Sequence, residues 1–467
     1  MPSELSTTRR NLTADAARDI AHVVHPYTNL AEHRQVGPLI IERGEGVFVQ
    51  DEHGRRYLEG MAGLWSVSLG YSEKRLAEAA ARQFERLPYA PIFNNRSHQP
   101  GIDLAEALVK IAPAGLNHVL FANSGSEAND QAGKIVWYHN NQIGRPAKKK
   151  LIARYHGYHG VTVLSGSLTG LTPVHADFDL PLPGVLHTDA PSRYHYGHDG
   201  ETEDEFLDRI AGNLEALIQR EGPETIAAFF AEPVNGGGGV IVPPPGYFAR
   251  IQALLRKYDI LFVVDEVITG FGRTGEIFGS FTYDLKPDIL TAAKALSSSY
   301  LPISAVLLTD AIYESLVAGS ARNGAFAHGV TYAAHPVAAA VALETLKIYE
   351  ERDIVGHVRQ VSRRFQERLR GFSGHPIVGE ARGVGLLGAV ELSREAGRRQ
   401  PFEAKSGLGR FVADRALEHG IILRNLGDAI AFCPPLIITE DEIDLLFDGF
   451  ARALDEGLDH ARRGGWS

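Results

Sequence analysis

The chain has 467 residues, 44% of them hydrophobic and 22% charged, with a formal net charge of −10. This is ordinary globular composition with room for two or three domains. Its acidic balance excludes a surface built for nucleic acid or anionic membrane, which needs basic patches. A single cysteine, Cys433, excludes an internal disulfide and a paired-cysteine zinc site, and fits a reducing cytoplasm.

The first thirty residues carry Arg9, Arg10, Asp15, Arg18 and Asp19 without a long apolar stretch, so no secretory signal is expected. No run reaches the roughly eighteen apolar residues of a membrane span. Ile40 and Ile41 lead into GEGVFVQDEHGRRYLEG, whose alternation and Asp51-to-Gly54 turn predict short strands. Residues 73–87 carry apolar side chains at helical spacing.

From about 100 to 335 the pattern alternates. Helical stretches such as 101–112 and 203–220 are interleaved with the runs HVLFANS, KLIARY, IAAFFAEP, ILFVVDEV, ILTAAK and ISAVLLT. Such nearly continuous apolar runs are expected of strands covered on both faces. Alternation with helices implies a mainly parallel sheet with right-handed crossovers, and ligands bind such sheets at the carboxyl ends of the strands. Asn123 to Ser126, Glu232, Asp265 and Lys294 all fall at or just past predicted strand ends.

Past 335 the texture changes. Helices are expected over 336–351, 355–370 and 407–419, with the strands VGLLGAVEL and IILRNL between or after them. TEDE, with Thr439 three residues before Glu442, is a capping-box pattern that opens the last helix. The division expected is an N-terminal segment 1–70 joining the small domain, a large domain 71–335 and a C-terminal small domain 336–467.

Lys294 follows an apolar run and lies about thirty residues after Asp265 at the end of VVD. That pairing is what a pyridoxal phosphate enzyme needs. The lysine amine forms a Schiff base with the cofactor aldehyde, and the carboxylate keeps the pyridine nitrogen protonated. Opposite unit charges about 4 Å apart attract by about 4 kcal/mol at an effective dielectric near 20, equivalent to roughly three pKa units less the desolvation cost.

FANSGSEAND reads as a strand, a turn of Ser124, Gly125 and Ser126, and a helix start. It suits a cofactor phosphate held by backbone amides and hydroxyls, and equally a plain helix cap with Glu127 in the first turn. Thr331, before a helix, carries the same two readings. GGGG at 236–239 is followed by PPPG instead of a helix and is no dinucleotide fingerprint, and no Walker-type lysine motif occurs. His195 and His198 have the spacing of half a metal site but lack a third ligand, so no metal is expected.

Together GLW near Trp65, FANSGSEAND, YHGYHG, AEPV, VVDEVITGFGRTG, PDILTAAKALSSSY, HGVTYAAHPVAAA and CPPLIIT resemble the class III aminotransferases of the omega-amine and β-alanine:pyruvate type, from about 40 to 450. The resemblance implies an α/β chain of pyridoxal-phosphate fold type I, with a mainly parallel large-domain sheet and a smaller α+β domain drawn from both chain ends. It implies that Lys294 is the Schiff-base lysine and proton carrier and that Asp265 pairs with the pyridinium. Tyr158 would stack on the ring, with Val267 packed behind it. Ser124, Gly125 and Ser126 would hold the phosphate, which Thr331 would reach from a partner subunit. Glu232 would stand behind these. Trp65 would line the substrate pocket and Arg424 would bind a substrate carboxylate. Asn235 after AEPV and Val330 before Thr331 depart from related branches.

The activity implied is transfer of an amino group from a primary amine or omega-amino acid to a keto acid, with pyruvate expected, by a cytoplasmic homodimer or tetramer. A pyridoxal phosphate decarboxylase or aminomutase on the same fold is the alternative. A non-catalytic cofactor-binding regulator or a dinucleotide-dependent dehydrogenase fits the residues less well.

Overall fold

The computed structural model describes residues 12–466. Arg9 and Arg10, and the ends of the outer segments, lie outside the described residues. The lead-in forms the helices Ala14–His22 and Leu30–Val36 and then three short strands, β1 (Ile41–Glu45), β2 (Phe48–Asp51) and β3 (Arg56–Glu59).

Seven strands follow: β4 (Leu116–Ala122), β5 (Lys150–Arg154), β6 (Val185–Thr188), β7 (Ile226–Ala231), β8 (Leu261–Asp265), β9 (Ile289–Ala292) and β10 (Ser304–Thr309). They form one sheet in the order β4-β10-β9-β8-β7-β5-β6. Every residue of β7 and β9 is buried. Phe229 and Phe230, adjacent in β7, enter different hydrophobic clusters, so both faces of the strand are covered. This is why these runs are apolar throughout instead of alternating.

The sheet is parallel except at β10, which runs antiparallel to both β4 and β9. The link from β9 to β10, residues 293–303, holds only a 3-10 turn, Lys294–Leu296. A parallel return needs a longer crossover, so the chain doubles back. All the strands that flank Lys294, Asp265, Glu232 and Ser124 still end at one edge.

The last strands are β11 (Val378–Val384), β12 (Leu387–Leu392), β13 (Ile421–Ile422), β14 (Arg424–Leu426) and β15 (Ala429–Phe432). They correct two expectations. VGLLGAVEL is not one strand: Gly385, at φ +57, turns the chain between antiparallel β11 and β12, and a side chain there would collide with the Arg273 carbonyl. IILRNL also divides. β13 pairs with β3, joining the two chain ends, while β14 pairs with β15 in the sheet β11-β12-β15-β14. One apolar run thus serves two sheets, with the break at Leu423.

The expected helices appear as Lys74–Arg86, Gln99–Ile111, Glu203–Glu221, Pro336–Glu351, Ile354–Arg370 and Leu408–Glu418. The last helix, Glu440–Arg463, opens with the reciprocal Thr439 and Glu442 capping box.

Candidate functional site

Asp265 closes β8 and is buried. Its Oδ2 accepts from Asn129 Nδ2 at 2.7 Å and lies 2.8 Å from His159 Nδ1, while Oδ1 accepts from the Val267 N–H at 3.0 Å. Asn129 is itself fixed, donating to the His159 carbonyl at 2.7 Å and accepting from Thr291 Oγ1 at 3.0 Å. Each carboxylate oxygen can accept about two hydrogen bonds. Among the described residues, Oδ2 is filled and Oδ1 keeps one direction for a further donor.

Lys294 follows β9, whose Thr291 pairs with Asp265 across the parallel ladder. Its φ is +50, in the left-handed region, as are Trp65 (φ +63) and His156 (φ +59). Such non-glycine outliers cost of order 1–3 kcal/mol each and gather where function demands a particular geometry. Burial pulls the Lys294 amine down to about 8 from its ordinary 10.5, against the opposing pull of Asp265 and Glu232, with nearby Arg424 also lowering it.

Burial pushes the buried Glu232 carboxyl, just past β7, up to about 7, and Asp265 adds to the rise. Its Oε1 accepts the Tyr158 N–H at 2.9 Å and its Oε2 accepts Gly236 N–H at 3.1 Å. The GGGG turn therefore has a job: a Cβ at Gly237 would lie 3.0 Å from that of Tyr158, so the turn packs against the tyrosine. The Tyr158 hydroxyl lies 3.3 Å from that of Tyr27, and burial raises its pKa.

At the end of β4, Ser124 caps the helix Gly125–Gln142 by accepting from Glu127 N–H at 3.2 Å, and Glu127 accepts from Asn123 N–H at 2.8 Å. Ser124 therefore performs the ordinary capping task. Ser126 Oγ accepts from Val161 N–H at 3.2 Å. Gly125 faces Val267, whose Cγ atoms lie 3.0 and 3.1 Å from where a Cβ would stand. The helix-start amides, Val267 and Asp265 are thus neighbours, and first-turn amides of a helix are ready anion donors.

Trp65 is buried with Met61, Val234, Ala431 and Cys433. Arg424 opens β14 half-buried, with its guanidinium 5.9 Å from the Tyr27 ring centre. It makes no ion pair among the described residues. Thr331 lies apart on an exposed loop, where its carbonyl accepts from Tyr89 Oη at 2.9 Å. It does not cap the next helix; His335 does. Asn235 is buried with neither amide atom hydrogen-bonded among the described residues, and Val330 is half-buried against the main core. The ring nitrogens of His195 lie 2.6 Å from Ser192 Oγ and 3.3 Å from Glu391 Oε1, and neither His195 nor His198 belongs to a group of three ligating side chains among the described residues.

Sequence reasoning missed Asn129, His159 and Tyr27. The first two stand inside FANSGSEAND and YHGYHG, and a search for donors to hold Asp265 could have raised them. Tyr27 carries no such signal.

A family model described as Aminotransferase class-III matches residues 30–454. Gamma-aminobutyrate transaminase 1, mitochondrial, of Oryza sativa subsp. indica is 51% identical over 430 residues, covering 92% of this chain and 83% of the relative. The omega transaminase of Pseudomonas jessenii, solved in complex with PMP, is similar with a TM-score of 0.94 at 52% identity, over 97% of this chain and 99% of that one. A transaminase solved with L-ala matches with a TM-score of 0.88 at 51% identity, over 90% of this chain and 99% of that one. With these likenesses and a cradle that fits the cofactor's ring and phosphate, the chain belongs to the class III aminotransferases, pyridoxal 5'-phosphate enzymes of fold type I.

Proposed function

We propose that this transaminase takes the amino group of a primary amine or omega-amino acid, of the 4-aminobutyrate kind, and delivers it to pyruvate. The names of the relatives support the donor class. The neighbour solved with L-ala supports the acceptor, since alanine is aminated pyruvate. The observation that carries the reading is a lysine amine held near pH 8 at a strand end, beside a tethered carboxylate with room for one more donor.

When bound, pyridoxal phosphate supplies a ring that stores the amino group and draws electrons from the carbon losing its proton. Lys294 would hold that group through Nζ, and the same amine would serve as the base that takes and returns the substrate proton. An amine with a pKa near 8 has a useful free-base fraction at neutral pH. Asp265 offers its open Oδ1 direction to the ring nitrogen. Asn129 and His159 are positioning residues that hold Asp265. Tyr158 and Val267 would flank the ring, with Glu232 fixing the Tyr158 backbone. The first-turn amides and Ser126 would take the phosphate, with Ser124 shaping that turn. Trp65 limits the amine's bulk, and Arg424 receives a carboxylate when the substrate has one, a task its planar fork suits.

Two copies complete the site in this reading, Thr331 of one reaching the phosphate of the other. The support is an exposed aromatic patch around it: Tyr332 is 61% exposed, Tyr89 40% and Phe93 39%. The test is a panel of 1-phenylethylamine, isopropylamine, β-alanine and 4-aminobutyrate against pyruvate and 2-oxoglutarate. Alanine should form faster than glutamate, with no carbon dioxide released. Glutamate predominating would overturn the acceptor, and no amino acid product at all would overturn the reading.

A further inference from the structure

Three side chains with metal-ligating atoms meet in the N-terminal segment. Asp19 lies on the helix Ala14–His22, His25 in the loop after it, and His33 on the helix Leu30–Val36. Nε2 of His25 is 2.7 Å from Asp19 Oδ1, and Nε2 of His33 is 3.2 Å from the same oxygen. The two imidazole rings lie 4.2 Å apart between centres. All three ligand atoms fall within 4.8 Å of one another. His33 is 7% exposed, and the other two are half-buried.

We propose that Asp19, His25 and His33 form a binding site for a divalent cation of the zinc class, which staples the N-terminal loop across the mouth of the active site.

Two imidazole nitrogens and one carboxylate oxygen are a donor set that zinc accepts, with a fourth position left for water. Ligand atoms about 2.0–2.1 Å from a tetrahedral ion stand about 3.3–3.4 Å apart. The His33–Asp19 side is therefore within about 0.2 Å of that spacing, and the His25–Asp19 side has to open by about 0.6–0.7 Å to admit the ion. With no ion bound, the carboxylate can only accept, so each Nε2 bonded to it carries a hydrogen. Binding moves that hydrogen to Nδ1 or releases it to solvent, and the Nε2 lone pair turns to the metal.

The three ligands come from two helices and the loop that joins them. That loop holds Tyr27, whose hydroxyl is 3.3 Å from the Tyr158 hydroxyl and whose ring faces Arg424. Tying Asp19, His25 and His33 together fixes the stretch that seats Tyr27. Val24, within it, is 78% exposed, so the stretch is open to cleavage when it is loose.

The experiment uses the full-chain holoenzyme, treated with a chelator and then freed of chelator and of unbound cofactor, which itself binds metal. Calorimetric titration with Zn²⁺ should show one equivalent per chain. His25→Gln and His33→Gln should each weaken that binding by at least about 100-fold, above the range for outer partners of a metal ligand, while His198→Gln leaves it unchanged. Co²⁺ bound to the wild-type chain should give the strong visible absorption of a four-coordinate site, which decides the matter even if a variant fails to fold. Zn²⁺ should protect residues 23–29 from proteolysis in the wild type and not in His33→Gln. No saturable equivalent, a six-coordinate Co²⁺ spectrum, or equal binding in the histidine variants would overturn the site. Equal protection in wild type and variant would overturn the staple.

Discussion

Gly125→Ala tests whether the phosphate cradle and the ring-binding strand end touch as described. The added Cβ would stand 3.0 Å from Cγ1 and 3.1 Å from Cγ2 of Val267, where ordinary carbon contacts begin near 3.5 Å. Val267 must therefore retreat by about half an ångström. It is β-branched and stiff about χ1, and its N–H is tied to Asp265 Oδ1 at 3.0 Å. Overpacking of this kind costs about 1–3 kcal/mol, and alanine's better helix propensity returns up to about 1 kcal/mol. Without cofactor, Val267 relieves the clash by swinging into the ring's space. A bound ring removes that escape, so the cost appears in cofactor uptake. We expect the dissociation constant for pyridoxal phosphate, followed by absorbance as the cofactor-free enzyme is titrated, to rise about 5- to 30-fold, matching one to two kcal/mol. Val267→Ala removes both colliding methyls. In the double variant the propensity contribution cancels, leaving a favourable coupling of about 1–3 kcal/mol. Two single effects that simply multiply would refute the contact and the placing of Val267 behind the ring.

Asp265→Asn removes the charge offered to the ring nitrogen, worth roughly three pKa units at about 4 Å. The amine half-reaction, read by stopped-flow absorbance, should slow about 100- to 1000-fold; a loss under tenfold would contradict the role. Only the neutral Lys294 amine can attack the cofactor aldehyde, and burial favours the neutral form, bringing its pKa to about 8 from 10.5. Cofactor uptake by the cofactor-free enzyme should therefore climb about tenfold per pH unit below about 8 and level off above it. A rise continuing to about 10.5 would show an unburied lysine. Arg424→Ala should slow the keto-acid half-reaction by about 10- to 200-fold, as expected for a lost charge-assisted hydrogen-bond pair. The half-reaction with isopropylamine should stay near wild type, and equal losses would deny Arg424 its carboxylate.

What was legible in the sequence followed from local rules. The buried strands β7, β8 and β9 announced themselves as apolar runs because both faces are covered, and their ends placed Glu232, Asp265 and Lys294 on one edge. The capping box at Thr439 fixed a helix start from side chains three residues apart, while the equivalent box at Thr202 went unread. What was illegible depends on distant partners. The reversal of β10 is set by the short link before it. The split of IILRNL arises because Ile421 finds Leu58 while Arg424 finds Ala431. His159 and Asn129 matter only once Asp265 lies between them, across sequence separations of 106 and 136 residues. In the lead-in, Tyr27 and the Asp19, His25 and His33 trio gain meaning only from folding back on themselves and on Tyr158.

The account turns on the identity of one nitrogen. Borohydride reduction of the holoenzyme, followed by digestion and mass spectrometry, reads it directly. Cofactor mass should be fixed on the peptide that contains Lys294 and on no other, and Lys294→Ala should yield no labelled peptide and no turnover. A label on a different lysine, or full labelling of the Lys294→Ala chain, would contradict the account at its root.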